Sequence, residues 1–95
     1  MTGKQRAKLR SMANTLPALY QIGKDGISEN TIKQFNDALE ANELIKVHVL
    51  ENSLLSTKEA ATESAEKADA ECIQVIGNKF VLYKQSKNNP QITLD

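Results

Sequence analysis

Leu19-Tyr20-Gln21-Ile22-Gly23-Lys24-Asp25-Gly26-Ile27-Ser28 decides the architecture of this chain. Its first four residues are short, apolar and β-compatible, and read as a strand. Two glycines then bracket Lys24 and Asp25, which is a turn signal. Ser28 follows as an N-cap, and Ile27 is placed to pack on Ile32 as a hydrophobic staple. Strand, turn and capped helix within ten residues open a β-α-β unit. A turn without Cβ atoms at both ends lets another molecule approach the backbone, and the helix N-terminus beyond it favours a phosphate. Lys24 adds a flexible positive charge, whereas Asp25 repels phosphate unless it turns outward or caps a backbone amide. The plain alternative is ordinary strand-to-helix turn chemistry, since two glycines at this spacing are a weak motif.

Working outward, Thr2-Gly3-Lys4-Gln5 has the form of a capping box. Leu9, Met12, Ala13 and Leu16 recur at helical spacing until Pro17 sets a limit, so the first helix is predicted over residues 3–15. Lys4 and Lys8 flank its apolar stripe on one side, Arg6 and Arg10 on the other. The helix after Ser28 buries Ile32, Phe35, Ala38 and Leu39, with Glu29, Lys33 and Asp37 at pairing distance outside and Asn42 as the expected left-handed C-cap. Leu44 to Leu50 is the clearest strand, with Ile45, Val47 and Val49 on one face and Leu44, Lys46, His48 and Leu50 on the other. Ser56-Thr57-Lys58-Glu59 is another capping box. It opens a helix with a small inner face (Ala60, Ala61, Ser64, Ala65, Ala68) and an acidic outer one (Glu59, Glu63, Glu66). Cys72–Ile76 and Phe80–Tyr83 are strands joined by Gly77-Asn78-Lys79, hence an antiparallel hairpin. Ile92 and Leu94 in the polar tail 86–95 fit either a short edge segment or a loose end. The order α-β-α-β-α-β-β predicts a compact α/β domain: a mixed four-stranded sheet packed with three helices, with some parallel pairing from the β-α-β part.

The chain has 95 residues, enough for one domain with a modest core, and at 4% aromatics that core is expected to be built mainly from Ile, Leu, Val and Ala. No run of about 18 apolar residues predicts a membrane span, and no apolar stretch behind the first charges predicts a secretory signal. A single cysteine, Cys72, excludes an internal disulfide framework and fits a reducing, cytoplasmic setting. Net charge is zero, but residues 1–34 hold six basic and two acidic side chains, residues 35–72 three and nine, and residues 73–95 three and one. A domain with basic ends and an acidic middle can present a positive face to an anion despite a neutral total.

Little here suggests catalysis. His48 is the only histidine and has no Cys or His at metal spacing, so no metal site is expected. Cys72 opens a strand and reads as a small buried hydrophobe. The Gly23-Lys24 pair lacks the spacing of a nucleotide-binding P-loop, and no dinucleotide fingerprint or nucleophile elbow is present. No cofactor or small-molecule substrate is implied.

The opening Thr2-Gly3-Lys4-Gln5-Arg6-Ala7-Lys8-Leu9-Arg10-Ser11 resembles the start of the CRM domain (chloroplast RNA splicing and ribosome maturation), most closely its bacterial stand-alone, YhbY-like members. The similarity continues through Gln21–Gly26 and Glu43-Leu44-Ile45-Lys46-Val47, and ends with Gln74-Val75-Ile76-Gly77 and Val81-Leu82-Tyr83-Lys84. It covers nearly the whole chain in order, making residues 1–95 a single CRM-type domain. The resemblance implies a fold similar to the C-terminal domain of a bacterial translation initiation factor. It also implies RNA binding, with Gly23–Gly26 in the role of the Gly-x-x-Gly clamp of KH domains, and association with precursors of the large ribosomal subunit.

The expected RNA contacts are Gly23, Lys24, Asp25 and Gly26 in the loop and Lys4, Arg6, Lys8 and Arg10 on the first helix. Lys79 and Lys84 are secondary. Ribosomal RNA is the expected partner, with ribosomal proteins as further ones and no membrane. The competing reading is a protein adaptor that docks a basic ribosomal protein on the acidic helix. With only Tyr20, Phe35, Phe80 and Tyr83 as aromatics, recognition by backbone and shape is favoured over base reading.

Overall fold

Three capping boxes set where the helices of this computed structural model begin; it describes residues 1–94. Thr2 opens α1 (Gly3–Ala13), Ser28 opens α2 (Glu29–Asn42) and Ser56 opens α3 (Thr57–Ala68). In each, the cap oxygen accepts from the amide three residues on, and that residue's side chain accepts from the cap amide. Thr31 plays this second part in α2, where the box motif more often has Glu or Gln. α1 is two residues shorter than its periodicity predicts. Leu16 N–H donates to the Ala13 carbonyl at 3.0 Å and turns the chain before Pro17. The C-cap of α2 is Glu43 at φ +66°, not Asn42, whose side-chain amide instead donates back to the Ala38 carbonyl.

The strands β1 (Ala18–Ile22), β2 (Leu44–Val49), β3 (Glu71–Ile76) and β4 (Lys79–Tyr83) form one sheet in the order β1-β2-β4-β3. β1 and β2 are parallel; β4 is antiparallel to both neighbours. The predicted mixed sheet with three helices is thus present, and parallel pairing is confined to β1 and β2, because the hairpin folds β4 in between β2 and β3. Bulges lie between Ala18 and Tyr20 and between Cys72 and Gln74.

Both faces of the sheet are used. Ile22, Ile45, Val47, Val49, Phe80 and Leu82 pack beneath α2 and α3, where Phe35 and Leu39 meet the small face of Ala60, Ala61 and Ala68. Small residues bring α3 close to the sheet. Tyr20 meets the Phe35 ring edge-on at 6.1 Å. On the other face Leu44, Ile73, Val81 and Tyr83 are covered by Leu9 and Ala13 of α1, with Leu16, Ile92 and Leu94 packed at the margin. Residues 86–94 are therefore neither an edge strand nor loose. They fold back beside α1.

Glu43 and Glu40 hold that tail. The fully buried Glu43 carboxylate accepts from the amides of Ser86 (2.8 Å), Gln91 and Ile92 (both 2.7 Å). Glu40 accepts from the Ser86 hydroxyl at 2.6 Å and from the amides of Lys87 and Asn88. Two carboxylates of the acidic middle thus face the tail's own backbone. The basic α1 and the tail share one layer, whereas the acidic α3 lies in the opposite one.

Candidate nucleic-acid interface

β1 and β2 run parallel, so both end at the same edge of the sheet, and three connections gather there. Gly23–Gly26 closes as a β-turn, with Gly26 N–H donating to the Gly23 carbonyl at 3.1 Å. The chain leaving β2 runs against it: Leu50 N–H donates to the Ile22 carbonyl at 2.9 Å. The β3–β4 turn joins the group through Val49 N–H, which donates to the Asn78 carbonyl at 2.7 Å, and through the Asn78 side chain, 2.9 Å from Nε2 of His48.

The two glycines serve different ends. Gly26 sits at φ +70° with open space where a Cβ would stand, so its constraint is conformational. Gly23 is needed for room, because a Cβ there would lie 3.3 Å from Oδ1 of Asn52 and 3.4 Å from Cδ1 of Leu50. Gly26→Ala is expected to cost about 1 kcal/mol through left-handed strain. Gly23→Ala, which needs only two side-chain ends to shift, should cost less. Paired thermal melts check the order.

Between the bracketing glycines Lys24 is exposed and, among the described residues, has no side-chain partner. Asp25 is exposed as well and caps no described backbone amide. Beyond the turn, Ser28 and Thr31 satisfy two of the four N–H groups that every helix start leaves open, so those of Glu29 and Asn30 remain. The carboxylate of Glu29 in the same first turn competes with any incoming anion.

The structure brings Lys79 to the same edge as Lys24, since Lys79 pairs with His48 at the end of β2. It does not bring α1 there. Leu9 and Ala13 cover Leu44, Ile73, Val81 and Tyr83, which lie toward the starts of β2 and β3, away from the turn. Arg6 donates to the Cys72 carbonyl at 2.7 Å and meets Glu71 at 3.4 Å, bolting α1 to β3. Lys8 donates to the Thr93 carbonyl of the tail. Lys84 is also engaged: its ammonium donates to the Ala68 carbonyl at 2.9 Å and to Asn36 at 3.3 Å, closing the C-terminus of α3. Lys4 is exposed and Arg10 half-buried, both without a partner among the described residues.

Three further residues of this face were missed by sequence reasoning. Lys46 and His48 of β2 point to the α1 side, as does Gln21 of β1, which pairs with His48. The alternation of β2 placed Lys46 and His48 on one face, but which half of that face a helix would leave open depends on how α1 lies. Cys72 is half-buried against the larger core, and burial pushes its thiol above the usual range, as for a structural rather than a reactive cysteine. On α3, Glu59 closes the capping box and Glu63 pairs with Lys67 at 2.9 Å. Among the described residues no group of three or more His, Cys, Asp or Glu is placed to hold a metal, and no helix is long and apolar enough to cross a membrane.

Residues 1–84 match the model of the CRS1/YhbY (CRM) domain. The chain belongs to this CRM family. Within it, the chain is 47% identical over 94 residues to probable RNA-binding protein YqeI of Bacillus subtilis (strain 168), spanning 99% of this chain and 98% of that one. It is 28% identical to an RNA-binding protein of Haemophilus influenzae over 92% and 88% of the two chains. The solution structure of hypothetical protein SAV1595 from Staphylococcus aureus, 49% identical, superposes with a TM-score of 0.81 over 100% of this chain and 99% of the other. The CRM fold of this chain thus coincides with that of an independently solved relative.

Proposed function

We propose that this CRM protein is a non-catalytic, cytoplasmic RNA-binding protein that assists assembly of the large ribosomal subunit, gripping RNA backbone at the Gly23–Gly26 turn. The observation that carries this reading is the turn itself: an exposed, unpartnered Lys24 between two glycines, at a sheet edge shared with Lys79 and directly ahead of the α2 N-terminus. Membership of a family whose relatives are named RNA-binding proteins supports RNA as the anion.

Lys24 and Lys79 supply the phosphate contacts of the turn, and Asp25 turns outward. Lys4 and Arg10 add positive charge from the α1 layer; Arg6, Lys8 and Lys84 contribute less, because their head groups already serve internal bonds. All four aromatic rings are buried or half-buried, which agrees with recognition of backbone rather than stacking on an exposed ring.

Filter binding to ribosomal RNA tests this reading. Neutralising about three phosphates of single-stranded RNA makes affinity fall about twentyfold between about 50 and about 200 mM salt. Salt-independent affinity, or none at low salt, refutes it.

A further inference from the structure

α1 covers only one half of its sheet face. The half nearer the Gly23–Gly26 turn presents Gln21 of β1, Lys46 and His48 of β2, Lys79 of β4 and the exposed Ile76 of β3. None of these is acidic. At the other end of β1 this strip meets a cleft of about 310 Å³ between the end of α1, the start of β1 and the returning tail. Met12, Leu16, Leu19 and Ile92 make apolar walls, and among the described residues Lys46 is the only charged group on its lining. Asn42 and Gln91 also line it. With Asn42 Nδ2 donating to Ala38, its Oδ1 stays available as an acceptor.

An apolar slot with a few polar groups and one cation at its rim has the character of a small-ligand site. Its charge favours an anion-bearing occupant over a free hydrocarbon. The turn and the cleft are four residues apart on β1, which is about 13 Å of strand. A single strand held by its backbone at the turn has only that distance to run, past His48 and Lys46, to bring a base to the cleft. An unstacked base of single-stranded RNA carries two apolar faces, which an aliphatic slot can bury without an aromatic ring.

We propose that the uncovered half of the sheet and the cleft form a track for single-stranded RNA, in which Lys46 holds a phosphate and one nucleobase seats between Met12, Leu16, Leu19 and Ile92. This rests on the backbone grip proposed for the Gly23–Gly26 turn and adds a base-holding site to it.

The test compares two oligomers of equal length by fluorescence anisotropy at low salt: oligouridylate, and a ribose-phosphate chain lacking bases. The intact protein is expected to bind oligouridylate about tenfold more tightly, from burial of one base face among aliphatic side chains. Met12 and Leu19 are 40% and 72% exposed, so Met12→Ser with Leu19→Ser leaves the core intact. That double variant should bind the two oligomers equally, and Leu19→Ser alone should lose part of the difference. Lys24→Glu should weaken both oligomers and keep their ratio. Equal binding of both oligomers by the intact protein overturns the cleft while leaving the backbone grip standing. So does a double variant that keeps the tenfold preference, including one that instead loses capture of a ribosomal protein. Failure of both oligomers to bind overturns the grip and the cleft together, and failure of the base-free chain alone overturns the grip.

Discussion

Glu43→Ala is expected to lower stability by about 3 kcal/mol, the loss of an acceptor for three buried or half-buried amides. At roughly 5 °C per kcal/mol for a domain of this length, Tm falls by about 15 °C. The reason lies in what Glu43 does. It is fully buried, stands at φ +66° and receives the amides of Ser86, Gln91 and Ile92. Its own backbone accepts from Lys84 N–H at 2.9 Å, so one residue joins the end of α2, the end of β4 and the tail. Without the carboxylate, the tail amides regain partners only by leaving for water, which strips Ile92 and Leu94 from the cluster around Leu9.

Companion variants separate the causes. Glu43→Gly should be about 1 kcal/mol more stable than Glu43→Ala, because glycine removes the left-handed strain that alanine keeps. Glu43→Gln keeps an acceptor for Gln91 and Ile92 but turns an NH₂ toward the Ser86 amide, and should fall between wild type and Ala. Chemical denaturation and amide exchange at residues 86, 91 and 92 read the effect. Unchanged protection of those amides in Glu43→Ala would refute the tether.

The same carboxylates carry a pH dependence. Burial pushes the Glu43 carboxyl up, but the amides of Ser86, Ile92 and Gln91 together outweigh it and leave the group below its ordinary value. Glu40 is lowered by the Ser86 hydroxyl first and then by the amides of Lys87 and Asn88. A carboxyl that is more acidic folded than unfolded stabilises the fold above its unfolded value, about 4.3 for Glu. That stability is lost as pH falls through the folded values. The tail should therefore release in acid, and Glu43→Ala should show a flatter acid limb than wild type.

Lys24→Glu is the second large expected effect, this time on binding. Reversing the charge proposed to contact phosphate should weaken RNA affinity by about tenfold at low salt and make the salt dependence shallower by about 0.7 in log–log slope. Lys24 is exposed and without a described partner, so the melting temperature should not move. Asp25→Asn should act in the opposite sense, tightening binding a fewfold by removing the opposing charge. If Lys24→Glu unfolds the protein, the lysine is structural. If it binds RNA as wild type does, the turn is not the grip.

Much of this fold was legible because it is local. The caps at Thr2, Ser28 and Ser56 act over three residues, and the stripes of α2 and the faces of β2 repeat at the period of their own element. The turn at Gly23–Gly26 could be named for the same reason. Less could be read where the deciding partner is distant in sequence. Asn42 is the ordinary choice for a left-handed C-cap, yet Glu43 takes it. The three tail amides that offset its strain lie more than forty residues away. Arg6, Lys8 and Lys84 look like free surface cations until β3, the tail and α3 reach them.

The sequence by itself determined the elements, their order and the Gly23–Gly26 turn, since propensity, capping and hydrophobic period are properties of neighbours along the chain. Tertiary structure alone decided that β4 enters between β2 and β3. It decided too that α1 covers half a face and leaves His48 and Lys79 half-exposed near the turn, with Lys46 between them and the cleft. These outcomes depend on which surfaces bury each other, and that is a balance among contacts made only when the whole chain closes on its core.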